Sequence, residues 1–172
     1  MAPTNLLGLT TLGTFHTAIS LIALAAGIIA LARYKEILPA SLAGKIYIAT
    51  TLITALTGFG IFQHGGFGKP HALGVITLIV LAIAAVAGAS QLFGRASRYV
   101  ETVGYSATFF FHWIPAVTET TTRLPAGAPV FSSPEAPGLQ IISAALFVAF
   151  LIGATLQVLR LRARLRILPA TA

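Results

Sequence analysis

The sequence predicts an all-α fold, a polytopic transmembrane helical bundle of four to five membrane-crossing helices, and three observations predict it. Hydrophobic residues fill 56% of the 172 positions and charged residues only 9%, against about 25% charged in an ordinary soluble domain. The apolar residues come in long blocks, whereas a membrane β-barrel needs short segments of alternating hydrophobicity. The 11 Lys and Arg punctuate those blocks instead of covering one face, which is how topology-setting charge is distributed. Hydrocarbon leaves only helices and closed barrels with a satisfied backbone. The block pattern therefore selects helices, in a single transmembrane domain over residues 1–172.

A span needs about 20 apolar residues to cross about 30 Å of hydrocarbon. The first block is 13–32. No Lys or Arg precedes it and Arg33 follows it, the reverse of a secretory signal with its basic leading region, so it reads as an uncleaved span. Pro39 separates it from the second span, 46–63. Gly65, Gly66, Gly68 and Pro70 then mark a short turn into the third, 72–93. The last span is 139–159. Between them, the uncharged run 102–118 is 17 residues long and bounded by Glu101 and Glu119, at the lower limit for a crossing. It reads either as a span, kinked or broken near Phe111 to Pro115 because Pro115 lacks a backbone donor, or as an interfacial or re-entrant segment.

Basic residues arbitrate. With four spans, Arg33, Lys35, Lys45, Arg95, Arg98 and Arg123 face one side, while Lys69, Arg160, Arg162, Arg164 and Arg166 face the other. That is six against five. If 102–118 crosses, only Lys69 and Arg123 separate from the remaining nine, and the positive-inside rule then puts the N-terminus outside and the basic tail in the cytoplasm of a bacterial inner membrane. The tail itself, Arg160 to Arg166, suits anionic lipid.

Composition also removes function classes. The net charge of +7 does not point to nucleic acid, because it sits at block ends and forms no binding stripe. Cys is absent, which excludes disulfides, thiolate metal sites and iron–sulfur clusters. Asp is absent too, and no phosphate loop, zinc-protease signature or Ser-His-Asp spacing occurs, so no catalytic residue is assigned.

The residues that can carry chemistry are the histidines. In the five-span arrangement His16, His64, His71 and His112 share the outer third of the membrane, and ionisable groups inside spans read as functional by default. Neutral imidazole ligates haem b and transition metals. All four are candidate cofactor-binding residues for haem b or a metal in a redox or electron-transport setting, with His16 and His112 the first choice for a metal because they lie deepest. Glu119 returns to the face of His112 two turns later and can orient a histidine or relay protons, with Arg123 at i,i+4. The plainer reading makes His64 and His71 residents of a wet turn, His16 and His112 interhelical bonds, and Glu119 with Arg123 an interfacial pair. Its function class is a non-catalytic subunit of a larger membrane complex, or a small-solute carrier. The expected partners are the lipid bilayer and either other membrane subunits or a second copy. Gly13 and Gly27, like Gly74 and Gly88, are spaced for close helix packing.

The stretch GKIYIATTLITALTGFGIFQHGGFGKPHALGVITLIVLAIA, after a span opening with His16, resembles an uncharacterised family of small bacterial predicted multi-span membrane proteins. Gly44, Lys45, Ile46 and Tyr47 carry most of the similarity, which covers about residues 13–90. Family members often place His just before the Gly-x-x-Tyr element, where Ser41, Leu42 and Ala43 stand here. The resemblance implies a membrane bundle and names no activity.

Overall fold

The computed structural model describes residues 9–62, 66–90 and 92–167, and among these it is all-helical. Helix α1 runs Thr11–Tyr34, α2 Leu42–Gly58, α3 Lys69–Ser90, α4 Ser97–Arg123 and α5 Pro137–Ile167, with a single 3-10 turn at Gly94–Ala96 before α4. Four of the five starts have a local cause. The Thr10 and Ser41 hydroxyls accept from the backbone N–H of Gly13 and Gly44, which satisfies donors that a helix start leaves open. Pro70 and Pro137 fall in first turns, where a missing N–H costs nothing.

Three helices, α1, α3 and α5, are long and apolar enough to cross a membrane. Helix α2 is apolar but has 17 residues, about 25 Å at 1.5 Å per residue. It starts and stops earlier than the 46–63 read from sequence, because Ser41 caps it and Phe59, Gly60 and Ile61 close it with tightened turns to Leu56, Thr57 and Gly58. Gln63 lies outside the described residues. Helix α4 is unbroken through Pro115, so the break expected between Phe111 and Pro115 is absent.

Successive helices alternate in direction, and α4 is central: it packs on α3, α5 and α1, while α1 packs on α2 and α2 on α3. The interior is unusual for a soluble fold and ordinary for lipid. Fully buried positions are Ala23, Ala30, Tyr47, Thr51, Ala84, Ala87 and Thr108, while Leu21, Ile29, Leu56, Ile79, Ile83 and Ile152 are exposed. Lipid tails are as apolar as leucine, so helices in a membrane associate through small residues and polar contacts instead. Gly104 illustrates it, since a Cβ there would lie 2.8 Å from the Ala84 Cβ on α3.

A polar clamp closes the end where α1 stops. Lys35 takes the left-handed conformation (φ 64°) and its N–H bonds the Leu31 carbonyl, ending the helix and turning Glu36 and Ile37 inward, where both are buried. Glu36 accepts from Arg98 (2.9 Å) and Thr102 (3.1 Å), and Arg98 also pairs with buried Glu101. From α5, Gln157 donates to the Lys35 carbonyl (2.9 Å) and accepts from Ser106, and Arg164 lies 3.5 Å from Glu36. The peripheral fifth helix is thus fixed by polar bonds at one end, while most of its circumference stays exposed.

Candidate functional site

At the opposite end the four helices α1 to α4 enclose a cavity of about 230 Å³, walled mainly by carbon. Histidines enter it from three helices: His16 from α1, His71 from α3 and His112 from α4. Thr51 and Thr54 of α2 line it, as do Phe111, Pro115, Glu119 and Arg123 of α4. His64 lies outside the described residues.

Each histidine is held by its neighbours, and the hydrogen bonds fix one of the three tautomers, that of His71. His16 Nδ1 lies 3.0 Å from the Thr57 hydroxyl. The same hydroxyl lies 2.8 Å from the Ile53 carbonyl and 3.1 Å from the Thr54 carbonyl, so His16 is tied to the end of α2. Gly58 makes room, since a Cβ there would meet the His16 ring at 3.3 Å.

His71 is bonded by a backbone donor. The Gly68 N–H donates to its Nδ1 at 3.3 Å, so neutral His71 carries its proton on Nε2. Its ring stacks on Phe62 at 4.9 Å and lies 5.1 Å from Phe67 and 6.5 Å from Phe59. The aromatic packing fixes where that N–H can be.

His112, buried on α4, bonds the Thr51 hydroxyl through Nε2 at 3.0 Å. Tyr47 braces it edge-on at 6.1 Å. The Tyr47 and Thr108 hydroxyls share a hydrogen bond (2.8 Å), and the Thr108 hydroxyl also lies 2.8 Å from the Tyr105 carbonyl. Glu119 pairs with Arg123 one turn on, and the two charges cancel at the cavity wall. Pro115 supplies no N–H to the Phe111 carbonyl four residues back, and both residues line the cavity.

Among the described residues two buried side-chain atoms, Thr54 Oγ1 and His71 Nε2, have no hydrogen-bond partner; both residues line this cavity, although the two atoms themselves are covered. Buried polar atoms are nearly always satisfied, by protein or by something bound. Among the described residues no group of three His, Asp or Glu is placed to hold a metal ion.

The threonine face of α2 is the part of the site that the histidines did not announce. Thr51, Thr54 and Thr57 recur every third residue, a helical spacing that places them along one side of α2 toward the histidines of α1 and α4. The chain matches no family model, no curated protein and no solved structure.

Proposed function

We propose that this protein is an integral membrane protein of the bacterial inner-membrane type whose five helices all cross the bilayer, and that it binds a small molecule in the histidine-lined cavity. The observation that carries the reading is the convergence of His16, His71, His112 and Thr54 on one carbon-walled cavity. A concave, mostly apolar pocket with a few converging polar groups is the usual form of a small-molecule site. The alternating helices put Arg33, Lys35, Lys45, Arg95, Arg98 and the basic turns of α5 at the clamp end, and leave Lys69 and Arg123 at the cavity end. Positive-inside orientation then faces the cavity outward and the C-terminus toward the cytoplasm. A crossing α4 supports this count, because its polar side chains Glu101, Thr102, Thr108 and His112 are buried inside the bundle.

A second reading, haem b or a transition metal held by His16 and His112 in electron transport, is favoured by one feature. Each of these imidazoles has one nitrogen bonded to a threonine hydroxyl, as metal-bound histidines have their other nitrogen bonded. One preparation separates the readings. Protein purified from its own membranes is expected to be colourless and metal-free, and to retain a small organic molecule in native mass spectrometry that Thr54→Leu displaces. A Soret band or stoichiometric metal, lost in His16→Ala and His112→Ala, would replace the first reading by the second. Protein with neither would leave a non-catalytic membrane subunit.

A further inference from the structure

We infer that an anionic phospholipid of the cytoplasmic leaflet seats its phosphate at the crevice between the end of α1 and the last turns of α5, on Lys35 and Arg160, and so ties α5 to the bundle. The inference rests on the bilayer-crossing reading above and is independent of what the cavity holds. Its carrying observation is a charge imbalance confined to one end. Both carboxylates of the clamp end, Glu36 and Glu101, are matched by Arg98 and Arg164. Among the described residues Arg33, Lys35, Lys45, Arg95, Arg160 and Arg162 have no carboxylate partner. At the cavity end Lys69 and Arg123 do have one, in Glu135 and Glu119. The counter-charge of the clamp end therefore comes from outside the chain.

The fold divides the basic tail, which is not one uniform anchor. Gln157, Arg160, Leu161 and Arg164 recur at helical spacing and line a crevice of about 10 Å³ together with Tyr34 and Lys35. Arg164 is taken by Glu36 at 3.5 Å, and Gln157 by the Lys35 carbonyl and Ser106. Arg160 is exposed, and among the described residues nothing holds its guanidinium. The Lys35 ammonium gives one proton to the Ala32 carbonyl at 2.8 Å and has two left. An ammonium and a guanidinium at one crevice match a phosphate, whose oxygens accept several charge-assisted bonds. The crevice has room for about one water, so the phosphate sits on its rim and the lipid stays outside the bundle.

Depth and apolar surroundings select a lipid over a soluble anion. Helix α5 has 31 residues, about 46 Å, and Arg160 stands about 34 Å from its start, just past about 30 Å of hydrocarbon. Tyr34, on the same crevice, suits that level, since tyrosine collects where the headgroups begin. Toward the membrane centre the seam is apolar and open. Helix α5 packs on α4 and not along α1, Ile152 and Leu156 are exposed, and a Cβ at Gly153, one turn before Gln157, would meet nothing within 4 Å. A phosphate carrying acyl chains satisfies both the basic rim and this seam, whereas a free anion satisfies the rim alone. Between Lys35 and Arg160 it also replaces repulsion by attraction, at the end where polar bonds fix α5.

The site is read by native mass spectrometry of the full chain in a neutral detergent, titrated with phosphatidylglycerol and, separately, with phosphatidylcholine of the same acyl chains. Two cations at about 1 kcal/mol each give an expected preference for phosphatidylglycerol of about 25-fold. Lys35→Gln and Arg160→Gln should each lose about fivefold of it. Arg162→Gln, two residues from Arg160 and on the other side of α5, should lose less than twofold. All three side chains are exposed, so the variants are expected to keep the helical content of the parent. The melting midpoint should rise with phosphatidylglycerol in the parent and not in the double variant Lys35→Gln, Arg160→Gln. Equal affinity for the two lipids, or equal losses in Arg160→Gln and Arg162→Gln, overturns the inference and leaves the bilayer crossing and the cavity untouched. Inorganic phosphate that raises the midpoint as far as phosphatidylglycerol does would assign the site to a free anion and overturns it too. A chain that stays monodisperse in water without detergent would overturn the bilayer reading itself.

Discussion

Arg98→Leu is expected to destabilise the bundle by about 3 kcal/mol, seen as a large fall in the detergent melting temperature. Arg98 is the shared partner of Glu36 and Glu101, whose side chains are about nine-tenths buried. Removing it leaves two facing carboxylates with only the half-exposed Arg164 nearby. Breaking a buried pair costs about 3–5 kcal/mol because the stranded charge stays desolvated. The lower end applies, since a third of the Arg98 side chain is exposed. The triple change Glu36→Gln, Arg98→Leu, Glu101→Gln should recover much of the loss. A single variant as stable as the parent would mean that water reaches both carboxylates.

Gly44→Ala is the second large effect, about 3 kcal/mol. A Cβ at Gly44 would overlap the Leu38 backbone carbonyl, which belongs to the tight turn capped by Ser41. Backbone cannot rotate aside as a side chain can, so the α1–α2 turn must open, at the upper end of the usual overpacking cost of about 1–3 kcal/mol. Because that turn carries Glu36, the variant should also loosen the clamp. Gly153→Ala on α5 is the control: nothing lies within 4 Å of its Cβ position, and replacing a mid-helix glycine should stabilise by up to about 1 kcal/mol. Equal effects at the two positions would contradict the packing described.

These two variants also mark the limit of what the sequence discloses. The apolar helices are legible because lipid demands a long uninterrupted run, and α1, α3 and α5 have one. Helix α4 is not delimited by its charges. Glu101 and Glu119 look like the edges of a span, yet both lie inside one 27-residue helix, because each is paired with an arginine one turn away, Arg98 and Arg123. Charge marks an end only when it is unpaired. The clamp was unreadable for another reason, since Glu36 and Arg98 meet across 62 positions and no local pattern encodes such a pairing.

The candidate site divides in the same way. A histidine in an apolar run stands out by itself, so His16 and His112 could be singled out from one sequence, and both line the cavity. Which nitrogen His71 offers could not be read, because that depends on the Gly68 N–H turning onto its Nδ1. The expected orienting role of Glu119 likewise depends on tertiary placement. Here His16 and His112 bond threonines of α2, and Glu119 bonds Arg123.

The most direct test of an outward-facing cavity inside a membrane bundle uses the absence of native cysteine. Thr54→Cys places a thiol at a position about nine-tenths buried, reachable by water only through the cavity, and Lys45→Cys places one at the clamp end. Cells expressing either variant are treated with a small, membrane-impermeant methanethiosulfonate. The expected result is modification at position 54 in intact cells and at position 45 only after the membrane is opened. Position 54 resisting the reagent from outside, while position 45 reacts there, would contradict both the orientation and the open cavity on which the ligand site depends.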